Sequence, residues 1–277
     1  MAEFSAHGVD IYYEVTGQGF PLVWSHEFAG NYDSWDPQVK YFSRRYQVIT
    51  YSARGYPPSE VPSDPEAYSQ DQAVEDLYLL LRHLGLDQAY VGGLSMGGTT
   101  ALNFGIVHPE MARALIVAAA GSGATGREAF LKSGQEVIAR LGAEGMEALA
   151  HDYARGATRL PFLFKDPKGW EQFYDGLKAH SAQGSALTFR GVQLKRPTVY
   201  ALEEQLRKLN VPTLVMIGDE DEPCLEPAVF MKRVIPNAGL AVFPKSGHAI
   251  NLEEPDLFNR TVSDFLTAVE SGKWSPA

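Results

Sequence analysis

Apolar residues along this chain fall into two alternating patterns. Short continuous apolar runs, read as buried strands, occupy residues 9–15, 20–24, 46–51, 88–92, 114–120, 212–218 and 239–243. Between them lie segments with helical spacing. The clearest covers residues 69–84, with Ala73, Leu77, Leu80, Leu81 and Leu84 on one face and Gly85 as a stop. Residues 35–42, 99–107, 226–234 and 255–269 also read as helices. Thr16-Gly17-Gln18-Gly19 predicts a hairpin turn between the first two strands, adding an antiparallel edge. Strand–helix alternation with apolar strands predicts an α/β fold, a mostly parallel sheet with helices on both faces.

The alternation stops after residue 121. Up to residue 204 there are helix-like pieces, with one or two helices predicted over 126–155, many glycines and no strand pattern. That length exceeds a plain loop. The reading is an α/β core of residues 1–121 and 205–277 carrying a helical cap of residues 122–204. The cap holds Phe162, Phe164, Trp170, Phe173, Tyr174, Phe189 and Tyr200. A roof drawn from this segment is largely apolar, which predicts a small to medium, partly apolar substrate. Phe162, Phe164, Trp170 and Phe173 are the expected substrate-facing side chains.

Chemistry concentrates where strands end. Gly93-Leu94-Ser95-Met96-Gly97-Gly98 sits between an apolar strand and a helix. A serine there occupies a sharp, strained turn with its Oγ directed out of the sheet edge, and glycine two residues to each side relieves crowding. The following helix aims free N–H groups and its positive end at that point. A serine hydroxyl needs a base, and the base needs an acid. His248 follows the last strand, at the same sheet edge, and is the expected base. The other histidines fall in turns, helices or the insertion, except His26. The loop after strand 212–218 offers Asp219, Glu220, Asp221 and Glu222 as acids. The end of strand 114–120 offers only alanines and glycine. Two oxyanion donors are expected: the N–H of Met96 and, from the loop after strand 20–24, that of Phe28.

Composition narrows the partners. The chain has 277 residues and a formal net charge of −10, which disfavours nucleic acid and anionic membranes. Its single cysteine, Cys224, excludes an intrachain disulfide and suits a reducing compartment. Residues 1–5 lack a basic stretch leading into an apolar run, so no secretory signal is predicted and the cytoplasm is the expected location. No apolar run approaches the roughly 20 residues that span a bilayer. No metal or nucleotide motif is visible; His26-Glu27 does not extend to H-E-x-x-H because residue 30 is Gly30.

Four segments in order resemble the α/β-hydrolase superfamily, in particular its capped esterase, lactonase and carbon–carbon hydrolase branch. Ser25-His26-Glu27-Phe28 is similar to the family's His-Gly-x oxyanion loop, and Arg54-Gly55 to its D-x-R-G-x-G-x-S loop. Residues 93–98 resemble its G-x-S-M-G-G elbow. Gly247-His248 with Glu253, Pro255 and Phe258 resembles its G-H-x-x-x-x-E-x-P-x-x-F ending. The resemblance covers essentially the whole chain. It implies a serine hydrolase with Ser95 as nucleophile and His248 as base. Asp221, three residues after Gly218, is the implied acid. The implied reaction is cleavage of a small-molecule ester or lactone through an acyl-enzyme, without cofactor or metal. A carbon–carbon bond hydrolase and a ligand receptor with little turnover are the alternatives. Glu27 stands where the family has glycine. It is expected either to face Arg54 or solvent as an ion pair, or to join His26 at a polar substrate group or a water.

Overall fold

In a computed structural model of the chain, residues 2–274 are described. Strand β1 (Ala2–Ala6) pairs antiparallel with β2 (Val9–Thr16), and β2 pairs antiparallel with β4 (Tyr46–Tyr51). The remaining partners are parallel: β3 (Phe20–Ser25) lies between β4 and β5 (Ala89–Leu94), followed by β6 (Ala112–Ala118), β7 (Thr213–Gly218) and β8 (Ala238–Phe243). The eight strands form one sheet in the order β1-β2-β4-β3-β5-β6-β7-β8.

The predicted hairpin at residues 16–19 is corrected by this order. The chain leaves β2 through that link, but β4 inserts between β2 and β3. The antiparallel edge is instead the β1–β2 hairpin, which turns at His7-Gly8. Strand β1 escaped the sequence pattern because only Phe4 and Ala6 of its five residues point inward.

The central strands read as continuous apolar runs because both faces are covered. Leu115, Ile116, Val117 and Ala118 of β6 are all fully buried. One side is covered by α1 (Asp36–Phe42) and, after the final strand, by α10 (Ile250–Glu253) and α11 (Pro255–Glu270). Helix α11 buries Phe258, Val262, Phe265, Leu266 and Val269, a helical stripe. Phe258 completes an aromatic stack in which Trp24 and Trp35 lie 4.6 Å apart. Helix α2 (Gln70–His83) is capped by Ser69, whose hydroxyl accepts from the Gln72 N–H at 3.0 Å. It packs beside α3 (Met96–Val107), which is buried along most of its length.

Between β6 and β7 the described residues contain helices and no strand. Helix α4 (Arg127–Tyr153) breaks at Gly145, where φ is 79° and ψ is −172°. It is followed by α5 (Leu160–Lys165), α6 (Pro167–Lys178), α7 (Ala182–Thr188), a π-helical turn (Phe189–Gln193) and α8 (Glu203–Lys208). Val199, Leu202 and Leu206 already belong to the main core. The remaining apolar residues of this insertion form two smaller clusters, each including residues from the loop after β3. Helix α9 (Glu222–Val234) follows β7. No described helix is long and apolar enough to cross a membrane.

Candidate active site

Ser95 stands between β5 and α3 with φ of 55° and ψ of −109°. For a non-glycine residue such backbone costs on the order of 1–3 kcal/mol and persists only where its surroundings hold it. Its N–H donates to the Ala118 carbonyl at 2.8 Å, tying the turn to β6. A Cβ at position 93 would lie 2.2 Å from the Gly97 carbonyl oxygen, and one at 97 would lie 2.0 Å from that of Ser25. Only glycine permits this approach, so the elbow is pressed against the loop after β3. Ser95 itself is buried apart from a small exposed fraction.

That loop is stiffened from within. The His26 ring accepts the Ala53 N–H on Nε2 at 2.9 Å, so Nδ1 carries the proton and donates to the Glu27 carbonyl at 2.6 Å. Burial pushes the His26 pKa down to about 4, keeping the ring neutral. With both ring nitrogens bonded to backbone, His26 braces the loop and has no group left for a substrate. The N–H of Phe28, further along this loop, finds no acceptor among the described residues, and neither does that of Met96 at the start of α3. The side chains of Phe28 and Met96 meet in one apolar cluster with Tyr56, Ile138, Phe189, Val192 and Leu194.

Glu27 points inward and pairs with Arg159 of the insertion. Arg159 Nη1 donates to Glu27 Oε1 at 2.9 Å, and Nη2 closes a second bond to Oε2. Both residues are buried. Burial alone would raise the Glu27 carboxyl, but the Arg159 guanidinium outweighs it and holds the group below its ordinary range. Arg159 in turn lies over the rings of Tyr153 and Phe173, at 5.4 and 5.1 Å. The expected partner, Arg54, is engaged elsewhere: its Nε and Nη2 clasp Asp76 at 2.7 and 2.6 Å.

Glu27 Oε2 lies 4.0 Å from Nε2 of His248. On the opposite side of that ring, Nδ1 meets Asp221 Oδ2 at 2.6 Å. Of the four consecutive acids, only Asp221 turns inward; Asp219, Glu220 and Glu222 are exposed, and Glu220 pairs with Lys245 at 2.8 Å. The ends of β7 and the histidine loop are in contact, since a Cβ on Gly218 would lie 2.2 Å from the Ser246 carbonyl. The insertion reaches this loop too: the Thr158 carbonyl accepts the His248 N–H at 2.8 Å. Lys165 pairs with Glu253 at 2.9 Å.

Ligand atoms of Asp221, Cys224 and His248 lie within 4.8 Å of one another. A metal there would need a thiolate, yet burial raises the Cys224 thiol well above its ordinary value. Asp221 and His248 are already bonded to each other. The donor set therefore favours a hydrogen-bonded acid–imidazole pair over a metal centre.

The aromatic residues predicted to face a substrate are distributed differently. Phe164 is 76% exposed. Phe162, Trp170 and Phe173 pack together with Ala29, Leu149, Ala150 and Ala249 in the insertion's own cluster. Phe162 and Phe173 also line a lateral crevice of about 480 Å³ bounded by Ala29, Gly30 and His180. Phe189, 5.0 Å from Phe28, is a buried insertion aromatic in the cluster of Met96, and the half-buried Phe130 and Tyr153 pack against that cluster. A pocket of about 20 Å³ beside Met96, lined by Tyr56, Thr188 and Val192, has room for about one water. A separate crevice of about 800 Å³ opens at the other end of the sheet, around Ala112 and Pro212.

Arg159, Tyr153 and Phe189 carried no motif that could single them out in the sequence. The one available signal for Arg159 was the need of a buried Glu27 for a cation.

Comparison with known proteins agrees with this architecture. Over 276 residues the chain is 30% identical to a putative carbamate hydrolase of Azorhizobium caulinodans, covering 96% of this chain and 98% of that protein. It is 29% identical to 3-oxoadipate enol-lactonase 2 of Acinetobacter baylyi over 261 residues, 93% of each. A malate-bound thermophilic esterase from Thermogutta terrifontis superposes with a TM-score of 0.85 at 25% identity, covering 96% of this chain and 97% of that one. Residues 21–255 match the family described as alpha/beta hydrolase fold, and the chain belongs to that family.

Proposed function

We propose that this protein is a serine hydrolase that cleaves a carboxylic ester or lactone through an acyl-enzyme. The observation carrying the reading is the 2.6 Å Asp221–His248 pair at the sheet edge where Ser95 occupies its strained turn. Ser95 Oγ attacks the acyl carbon while His248 Nε2 takes its proton. Asp221 holds the ring by Nδ1 and stabilises the imidazolium. The Phe28 and Met96 N–H groups receive the oxyanion, preorganised because neither has an acceptor among the described residues. His248 then returns the proton to the leaving oxygen, and a water repeats the sequence to release the acid. The names of similar proteins, an enol-lactonase, a carbamate hydrolase and an esterase, support hydrolysis of a small acyl compound.

In this reading residues 122–204 act as a cap. The cluster of Phe28, Met96, Ile138, Phe189, Val192 and Leu194 forms the apolar wall that receives the acyl or leaving group. The test is labelling of the purified protein by a fluorophosphonate, with loss of both labelling and p-nitrophenyl ester or lactone turnover in Ser95→Ala. Unchanged turnover in Ser95→Ala overturns the assignment.

A further inference from the structure

Two buried arginines of the insertion approach the site, and only one has a carboxylate. Arg159 is neutralised by Glu27. Arg196 is equally enclosed, with 4% of its surface exposed. Its Nη2 donates to the carbonyl and hydroxyl of Ser122 at 3.2 and 2.9 Å, while its buried Nη1 has no acceptor. No acid pairs with it among the described residues. A neighbouring cation adds to the excess: Arg127 donates to the Leu194 and Arg196 carbonyls at 2.6 and 3.2 Å and has no acidic partner there either among the described residues. Burying an uncompensated charge is costly, and an unpaired buried donor adds to that cost.

Arg196 neighbours residues that in turn touch the proposed machinery. Ser122 continues the segment that leaves β6, whose Ala118 carbonyl holds the Ser95 N–H. Leu194, two residues before Arg196, packs in the cluster with Met96 and Phe28. Cys224 and Tyr153 are its other polar neighbours. The Cys224 sulfur sits within 4.8 Å of the Asp221 and His248 ligand atoms, and the Tyr153 ring is 5.8 Å from that of Phe28. Both neighbours are kept in their neutral forms by burial, so neither supplies the missing negative charge. Burial lowers the Arg196 pKa to about 10, which leaves the guanidinium charged at neutral pH.

We propose that Arg196 is the recognition point for a carboxylate on the substrate, so that the preferred ester or lactone carries an anionic group apart from the bond that is cleaved. This rests on the serine-hydrolase reading above and names its substrate class. A planar guanidinium with unpartnered N–H groups on Nη1 suits a carboxylate, and the apolar cluster that Leu194 shares with Met96 suits the chain linking the two ends. Glu27 does not oppose such a substrate, because Arg159 already neutralises it.

The experiment compares monoesters of succinic, glutaric and adipic acids with neutral esters in which a methyl ester or methyl group replaces the free carboxylate. Wild type is expected to prefer a carboxylated member in kcat/KM. In Arg196→Gln the carboxylated-to-neutral ratio should fall about tenfold to a hundredfold, the range for a charge-assisted contact. Arg196→Lys should retain part of it. Free dicarboxylates should inhibit wild type competitively and inhibit Arg196→Gln more weakly. Should Arg196→Gln not fold, the wild-type ratio and dicarboxylate inhibition decide the matter alone. Wild type showing no carboxylate preference at any chain length overturns the proposal, as does a variant with a lower melting temperature and an unchanged ratio. Hydrolysis of neutral esters that survives Ser95→Ala would instead overturn the underlying hydrolase reading.

Discussion

The sheet and the insertion solve the burial problem in different ways. In the sheet, β3, β5, β6 and β7 are covered on both faces, and one large cluster runs from Phe4 to Val269. The insertion has no comparable interior. Apart from Val199 and Leu202, which join the main core, its buried apolar side chains fall mostly into two small clusters, and several of its contacts with the sheet edge are polar: Arg159 with Glu27, Thr158 with His248, and Lys165 with Glu253 and Glu254. Dense apolar packing holds a strained serine and an acid–imidazole pair to a fixed geometry. Under the proposed mechanism, the difference places the reacting atoms in the core and leaves selectivity to side chains that the insertion delivers.

Removing the core's reacting atoms breaks the comparison most severely. Ser95→Ala should lower kcat by about 10³-fold or more, with an unchanged melting temperature. Next come the acids. Asp221→Asn should lose most of kcat, whereas Asp219→Asn should stay within about threefold, because only Asp221 reaches the imidazole. Steady-state kinetics on folded variants checks the ranking, and equal losses would reassign the acid.

The polar anchor gives the next largest effect. Arg159→Met leaves the Glu27 carboxylate buried and unpaired, which should destabilise the protein by about 3–5 kcal/mol. Adding Glu27→Gln should recover part of that loss in denaturant melts. No recovery in the double variant would show that Arg159 acts through packing on Tyr153 and Phe173 instead.

Acid sharpens the comparison at two imidazoles. His26 in the core and His180 in the insertion are each lowered to about 4 by burial, with His26 adding to the effect at His180. The unfolded chain protonates such rings at about 6.5 and the folded protein does not, so protons favour unfolding between those values. Their stabilising contribution is complete above pH 6.5 and should fall by up to about 1.4 kcal/mol per pH unit for each ring as pH drops toward 4. Stability curves across that window should flatten in His26→Gln if the introduced glutamine side chain keeps the loop's hydrogen bonds.

The smallest effect separates a clustered insertion aromatic from an exposed one. Phe189→Ala should move the acyl-length optimum of kcat/KM toward bulkier chains, since it opens the wall at Met96. Phe164→Ala, on a 76% exposed ring, should leave that optimum in place. An acyl series from acetyl to dodecanoyl measures both.

Much of this was legible in the chain. Seven strands, the break after residue 121 and the resumption at Thr213 followed from apolar periodicity. The positions of Ser95 and His248 after strand ends followed from local motifs, because a tight turn constrains residues adjacent in sequence, whereas Asp221 was singled out among four neighbouring acids only by the family resemblance. Contacts between distant segments did not follow. Thr16–Gly19 looked like a hairpin because turn residues report a change of direction and not the neighbour that comes next; the insertion of β4 depends on the whole sheet. Arg54 looked like a partner for Glu27 until Asp76, one helix away, claimed it.

By itself, then, the sequence determined the layers, the strained serine turn and which residue types stand at the carboxyl edge of the sheet. Those features rest on periodicity and steric limits that act within a few residues. Tertiary structure alone decided that Arg159 neutralises Glu27, that Phe189 and not Phe164 meets Met96, and that Arg196 is buried without an acid. Such pairings depend on how segments separated by up to 132 positions are brought together, and charge or aromaticity read along the chain carries no distance in space.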